Sequence, residues 1–281
     1  MYNVEELKGD FPLTANYLAP VLLDMPQAEC SVYHRFGPDI YIRELHMKAG
    51  TIAVGHKQRF EHINILLKGK VLMFNPDETT TTLEAPLFFI GKPGQKVGYV
   101  LEDVVWQNIY STKETDIDTL ENVFLDKDYA LVNNQLKHSV EQKLKLIEIQ
   151  ADYLDLLDEL QITEEQVQEQ VQLDNVCDYV LPENIRLANS PIHGKGIFAT
   201  ASIPKNTKIA LAKINDERTL IGRYTNHSNM PNCTMVLLDN GDIELHSIAD
   251  IVGCLGGQLG DELTVNYRDV LILQSKLIKE K

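Results

Sequence analysis

From residue 30 to residue 112 the chain is cut into short runs of strand-forming residues by turn-forming ones. No other feature limits the fold as much. "DIYIREL" alternates apolar and polar side chains, and "INILLKGKVLMF" and "APLFFIGKPGQKVGYVL" are rich in β-branched and aromatic residues. Lys68-Gly69, Asn75-Pro76-Asp77 and Lys92-Pro93-Gly94 mark turns between them. Many short strands at close spacing predict a barrel or a sandwich. The Thr79 to Thr82 run suits an exposed strand or hairpin.

The period changes after about residue 115. Val140, Leu144, Ile147, Ala151 and Leu154 recur at steps of four and three, which places them on one helical face. Thr163 followed by Gln166 is a capping box that opens a second helix, "EEQVQEQVQL". The stretch reads as a linker packed on its neighbours or as an oligomerisation helix. Strand signals return from about residue 183, and Asn240-Gly241-Asp242 predicts a hairpin.

The net charge of -15 opposes general affinity for nucleic acid, because phosphates would be repelled. It permits a basic partner such as a lysine-rich segment. The four cysteines, Cys30, Cys177, Cys233 and Cys254, form no C-x-x-C pair, so no zinc knuckle is expected. "MYNVEELKGDFPL" lacks the basic start and apolar core of a signal peptide, and no apolar run reaches membrane-spanning length. The expectation is a cytoplasmic protein with free thiols and no membrane partner.

Three segments of the C-terminal third carry the chemistry. They are "HGKGIFA" (His193 to Ala199), "RYTNHSNMPN" (Arg223 to Asn232) and "GDELTVNY" (Gly260 to Tyr267). In this order they resemble the SET-domain protein lysine methyltransferases, over residues 184 to 270. The resemblance implies S-adenosylmethionine as cofactor and a protein with an accessible lysine as substrate. It implies a β-fold of short strands with a pseudoknot. Gly194, Lys195, Gly196, Arg223, Asn226, His227 and Tyr267 would bind the cofactor, with Tyr267 also catalytic. The residue types suit this. Gly194 and Gly196 let backbone approach a ligand and adopt positive φ, and Asn226 offers both a donor and an acceptor. Tyr224 is a second candidate wall for a lysine channel.

The chain also departs from the family pattern. Only about two dozen residues separate Phe198 from Arg223, as in the short viral SET domains. No cysteine-rich segment and no aromatic residue follow Tyr267, so another element must close the channel. "VGCLGGQL" stands as a Gly-rich insertion before Gly260. These departures keep open an alternative, a non-catalytic structural or assembly protein, of a virus or a cell, that uses degenerate cupin and SET modules for interaction; a viral protein would lie in the host cytoplasm or the virion.

In the N-terminal part, Gly50, His56, Gln58, His62 and Gly69, followed by Pro93-Gly94, resemble the cupin motifs. A histidine expected after that turn is replaced by Val97-Gly98. His56 and His62 are the metal-ligand candidates if a third residue joins them; otherwise the barrel is a scaffold or dimer module. Glu61 would point away from His62 on a strand. The expected chain is mostly β: a cupin-like β-barrel (1–115), a helical connector (116–182) and a SET domain (183–281). A homo-oligomer would form through the barrel or the connector.

Overall fold

The computed structural model describes residues 14–23, 25–75, 77, 79–126, 139–173 and 175–279. The chain is mostly β and divides into two compact units. The first is Met1–His138 with Cys254–Gln258, and the second is Ser139–Gly253 with Leu259–Lys281. The segment read as a connector is thus shared between them.

Unit 1 begins with helix α1 (Ala15–Leu23) and strands β1 (Cys30–Gly37), β2 (Ile40–Met47), β3 (Ile52–Val54) and β4 (Lys57–Gln58). The long β5 (His62–Phe74), β6 (Thr80–Glu84), β7 (Leu87–Gly91) and the long β8 (Val97–Ser111) follow, then α2 (Ile117–Phe124) and β9 (Leu125–Asp126). The sheet order is β1-β2-β8-β5-β6, with β3 on β8 and β7 on β5. Among the described residues this pairing is an open path, not the closed barrel expected from the sequence. The long strands bend instead: β5 and β8 slip register at Leu66/Lys68 and again up to Val71. Lys68-Gly69 is therefore a bulge inside β5 and not a turn. Gly69 has φ +85°, and a Cβ there would lie 2.3 Å from the Asp103 carbonyl oxygen. The Lys92-Pro93-Gly94 turn stands as read, between β7 and β8.

Leu66, Val71, Val100, Val104 and Trp106 form the apolar core of unit 1. Beside it lies a buried polar row. Asn64 Oδ1 accepts from Trp106 Nε1 at 3.0 Å and Asn108 Nδ2 at 2.8 Å. Tyr110 donates to Gln58 Oε1 at 2.8 Å. Alternating strands put these polar side chains on the inner face, and mutual bonds offset the cost of burying them. The Gly-rich insertion also belongs here. Cys30 N–H donates to Cys254 O and Gly256 N–H to Ala28 O, each at 2.9 Å.

Unit 2 opens with α3 (Ser139–Leu160) and α4 (Glu164–Leu173). The capping box forms as read, with Thr163 N–H on Gln166 Oε1 and Gln166 N–H on Thr163 Oγ1. The apolar face of α3 differs from the expected one. Leu144, Ile147 and Leu154 are 57%, 63% and 55% exposed, whereas Leu156 and Leu157 are buried. The helix carries a second apolar row, Leu146, Ile149, Tyr153 and Leu156/Leu157, and its neighbours selected that one.

The remaining elements are β10 (Ile185–Asn189), β11 (Lys195–Ala199), β12 (Lys208–Ile214), β13 (Glu217–Arg218), α5 (Leu220–Tyr224), β14 (Asn226–His227), β15 (Cys233–Leu237), β16 (Ile243–Ser247), β17 (Thr264–Val265) and α6 (Tyr267–Lys279). β13-β12-β16-β15 form one sheet and β10-β11 a hairpin, while β14 pairs with β17 in parallel. The predicted Asn240-Gly241-Asp242 turn joins β15 to β16, with Gly241 at φ +86°. Ile197, Ile221, Leu245, Ile251, Leu263 and Val265 lie at the centre of the core.

Thr219 caps α5 by accepting from Gly222 N–H at 3.3 Å. The helix then lies so close to β12 that a Cβ on Gly222 would fall 2.0 Å from the Ala212 carbonyl oxygen. That neighbour is backbone and cannot swing aside. Gly222→Ala should therefore cost roughly 2–3 kcal/mol, lowering the melting temperature of unit 2 by about 5–10 °C. Calorimetry reads this effect, and Trp106 fluorescence, which reports unit 1, should not change. An unaltered melt would contradict the close packing.

Candidate functional site

The three motif segments of the sequence come together in unit 2. β14 lies parallel to β17, with Asn226 opposite Thr264 and His227 opposite Val265. Ser228 N–H donates to Val265 O at 3.0 Å, and Leu263 N–H donates to Ile197 O at 2.8 Å. Asn232 clamps the crossing: its Nδ2 donates to Glu262 O at 2.8 Å and its Oδ1 accepts from Thr264 N–H at 2.9 Å. One asparagine amide thus replaces a ladder bond on each side of Leu263.

Asn226 ties the same crossing to the glycine turn. Its Nδ2 lies 3.2 Å from His193 O, 3.1 Å from Lys195 O, 3.1 Å from Ser190 Oγ and 2.7 Å from Glu262 Oε1. Ser190 Oγ is 2.9 and 2.8 Å from the two Glu262 oxygens. Burial pushes the Glu262 carboxyl above its usual range, and the bonds from Asn226 and Ser190 pull it partly back. Gly194 has φ +50° and, like Lys195, is exposed. At Gly196 the close approach is to protein: a Cβ would lie 2.2 Å from Glu262 Oε1. Arg223, expected at the cofactor, gives its NH1 to the Val171 carbonyl at the end of α4.

His227 is buried between Tyr267 and α3. Tyr267 N–H donates to His227 Nδ1 at 3.2 Å, so the ring proton sits on Nε2, which donates to Asp152 Oδ2 at 2.7 Å. Asp152 also receives Arg268 NH1 at 2.9 Å, and Arg268 forks onto Glu159 at 2.9 and 3.0 Å. Burial pushes Asp152 up, but the bonds from His227 and Arg268 outweigh it and leave the carboxyl below its usual range. The Tyr267 hydroxyl donates to Thr225 O at 3.2 Å, the carbonyl just before Asn226. Burial pushes the Tyr267 phenol up to about 12, against the pull of Arg218, so it stays protonated near neutral pH. Tyr224 packs against the core of unit 2.

Sequence reasoning missed Asp152, Tyr153 and Arg268 as neighbours of this site. Glu262 lies within the third motif but was given no role, and Ser190 lies three residues before the first. Cys233 is buried in β15, and desolvation pushes its thiol up to about 12, which suits a packing role.

In unit 1, His62 Nδ1 donates to Phe60 O at 3.0 Å, its ring stacks 5.5 Å from Tyr110, and its buried Nε2 makes no well-aligned hydrogen bond among the described residues. His56 is half-buried and Glu61 is exposed. Among the described residues no three His, Cys, Asp or Glu side chains are grouped to hold a metal ion. Burial holds the His62 imidazole below its usual value, and Lys96 adds to this. Between that lowered value and about 6.5 the unfolded chain binds the extra proton. Stability therefore rises with pH through this window, is lost as pH drops through it, and no longer depends on His62 below it. Denaturant titrations followed by Trp106 fluorescence should show a midpoint that falls from pH 7 to pH 5, and a shallower fall in His62→Gln. Parallel curves for the two proteins would contradict this.

No family model matches the chain, and no curated protein matches it. Solved structures match about a third of it. KdgF from Halomonas sp. is 14% identical, over 32% of this chain and 87% of that one, with a TM-score of 0.27. An RmlC-like cupin family protein with a double-stranded β-helix fold from Methanocaldococcus jannaschii is 11% identical, over 30% and 83%, with a TM-score of 0.26. An acetylacetone dioxygenase from Acinetobacter johnsonii is 15% identical, over 31% and 66%, also at 0.26. Among the described residues no helix is long and apolar enough to cross a membrane.

Proposed function

We propose that unit 2 is a SET-type methyltransferase domain that moves a methyl group from S-adenosylmethionine to a lysine of a protein substrate, and that unit 1 is a cupin-like module. One observation carries the reading. The Tyr267 hydroxyl rests on the carbonyl of Thr225, immediately before the Asn226-His227 pair, where parallel β14 and β17 cross. Three segments that are distant in sequence supply the glycine turn, the Asn-His pair and the tyrosine, and they are knitted by direct hydrogen bonds.

The residues present fit such a cofactor. The exposed Gly194-Lys195 turn, with Gly194 at positive φ, can present backbone to its carboxylate. When bound, the cofactor supplies an electrophilic methyl on a sulfonium. The chain's share is to orient and to desolvate. Tyr267, protonated near neutral pH, is a hydrogen-bonding orienter and not a base. The substrate ammonium gives its proton to water before the amine nitrogen attacks. A buried site favours that loss because desolvation lowers an amine's pKa. Positioning of the amine in line with the breaking carbon–sulfur bond accounts for most of the rate. The acidic chain favours basic protein segments as partners.

A second reading has its own support: both modules serve assembly without catalysis. The Asn226 Nδ2 is spent on groups of the chain itself. The exposed Leu144, Ile147 and Leu154 row offers a surface for a homo-oligomer. Calorimetric titration of the whole protein with S-adenosylmethionine separates the two. Saturable binding supports methyl transfer, and no heat at millimolar ligand sinks it.

A further inference from the structure

We propose that α3 is part of this same site: Tyr153 is the aromatic wall against which the bound adenosyl ligand packs, and Asp152 is a positioning residue that acts through His227. This rests on the methyltransferase reading above. Residues 268–281 carry no aromatic side chain. The structure brings one from more than a hundred residues earlier in the chain. The Tyr153 ring lies 6.2 Å from His227 and 6.4 Å from Tyr267, and those two rings are 5.2 Å apart. Three rings thus meet at one corner in tilted and edge-on arrangements; His227 is buried, and the half-buried Tyr153 and Tyr267 are the two that can meet a ligand's heterocycle.

The ring is held, not merely packed. Its hydroxyl donates to Glu164 Oε2 at 2.7 Å, and Gln168 Nε2 donates to Glu164 Oε1 at 2.7 Å. Gln168 also reaches His193 Nε2 at 3.3 Å, the residue before Gly194. The α3–α4 pair is therefore fastened to the site at the glycine turn and at the Asn-His pair. On the second side, Asp152 accepts the Nε2 proton of His227. That leaves Nδ1 bare to accept Tyr267 N–H, so the carboxylate fixes the tautomer that orients the start of α6.

α3 turns Leu146, Ile149, Leu156 and Leu157 inward, and Asp152 and Tyr153 lie on that same side, facing His227 and Tyr267. One face of the helix thus buries apolar side chains and delivers a carboxylate and a phenol.

The test is calorimetric titration of the full chain with S-adenosylmethionine, with melting curves as a check on folding. Tyr153→Ala should weaken binding about tenfold or more, Tyr153→Leu by a similar factor, and Tyr153→Phe should recover most of the loss. Tyr153→Leu keeps the apolar bulk and decides the matter if Tyr153→Ala does not fold. The exposed Asp155→Asn should change nothing. In histidine nitrogen NMR, His227 should show the Nε2–H form, and Asp152→Ala should shift it toward mixed tautomers. Wild-type affinity in both Tyr153→Ala and Tyr153→Leu would overturn the proposal and leave the methyltransferase reading standing. Tighter binding in either would show that α3 obstructs the site, which also overturns it. An unmoved His227 signal in Asp152→Ala would overturn the role of Asp152. No binding by the wild type would overturn the methyltransferase reading and this proposal with it.

Discussion

Tyr267→Phe should bind S-adenosylmethionine within about threefold of the wild type and transfer methyl groups about a hundredfold more slowly. The ring keeps its place, because its packing against His227 and Tyr153 does not involve the hydroxyl. The backbone N–H that meets His227 Nδ1 is also untouched. What disappears is the hydroxyl's hydrogen bond to the Thr225 carbonyl. A loss in turnover with little change in affinity is the mark of a group that acts mainly in the transition state. The assay is transfer of labelled methyl from the cofactor to proteins in a lysate of the source cells, beside calorimetric binding. Equal labelling by the two proteins would remove Tyr267 from the reaction centre. Lost binding would make it a structural residue.

The second large effect comes from an almost isosteric change. Asn226→Asp replaces an NH2 that faces two carbonyls, a serine oxygen and a carboxylate with an acceptor-only group. The new carboxylate would stand where Glu262 Oε1 lies 2.7 Å from the present nitrogen, with like charge facing like. Glu262 already carries a carboxyl pushed up by burial, and it would lose a donor that pulls it back. The cost is about 3–5 kcal/mol. The melting temperature of unit 2 should fall by ~10–20 °C, and cofactor binding should vanish. Differential scanning calorimetry reads the first and titration the second. Asn226→Asp should also recover part of its stability as acid neutralises the pair. A melt unchanged at neutral pH would mean that the Asn226 network is not what holds the crossing.

Local signals survived into the structure where a few neighbouring residues decide the outcome. The Thr163–Gln166 capping box and the Asn240-Gly241-Asp242 turn are of this kind, since their bonds close within four residues. Lys68-Gly69 was misread because a glycine at positive φ serves a turn and a bulge equally. Only the partner strand β8 shows which one it serves. The face of α3 was misread for a related reason. Two apolar rows share the helix at nearly the same spacing, and nothing within the helix ranks them. The motifs named Gly194, Asn226, His227 and Tyr267, and the structure brings these segments together. Asp152 was not legible, because its bond to His227 spans 75 residues of sequence.

The Gly-rich stretch before Gly260 sets a rule for anyone dividing this chain. Cys254–Gln258 belongs to unit 1, where Ala28 and Cys30 hold its backbone, yet the chain on either side of it belongs to unit 2. The stem of the excursion is already fastened, since Asp261 N–H donates to Val252 O and Val252 N–H to Asp261 Oδ2, each at 2.9 Å. A fragment beginning at Ser139 would keep that stem but leave the loop without its Ala28 and Cys30 backbone partners and uncover the buried Cys254 thiol. Removing Cys254–Gln258 from such a fragment, with the stem left intact, is the cut that follows the fold rather than the order of the sequence.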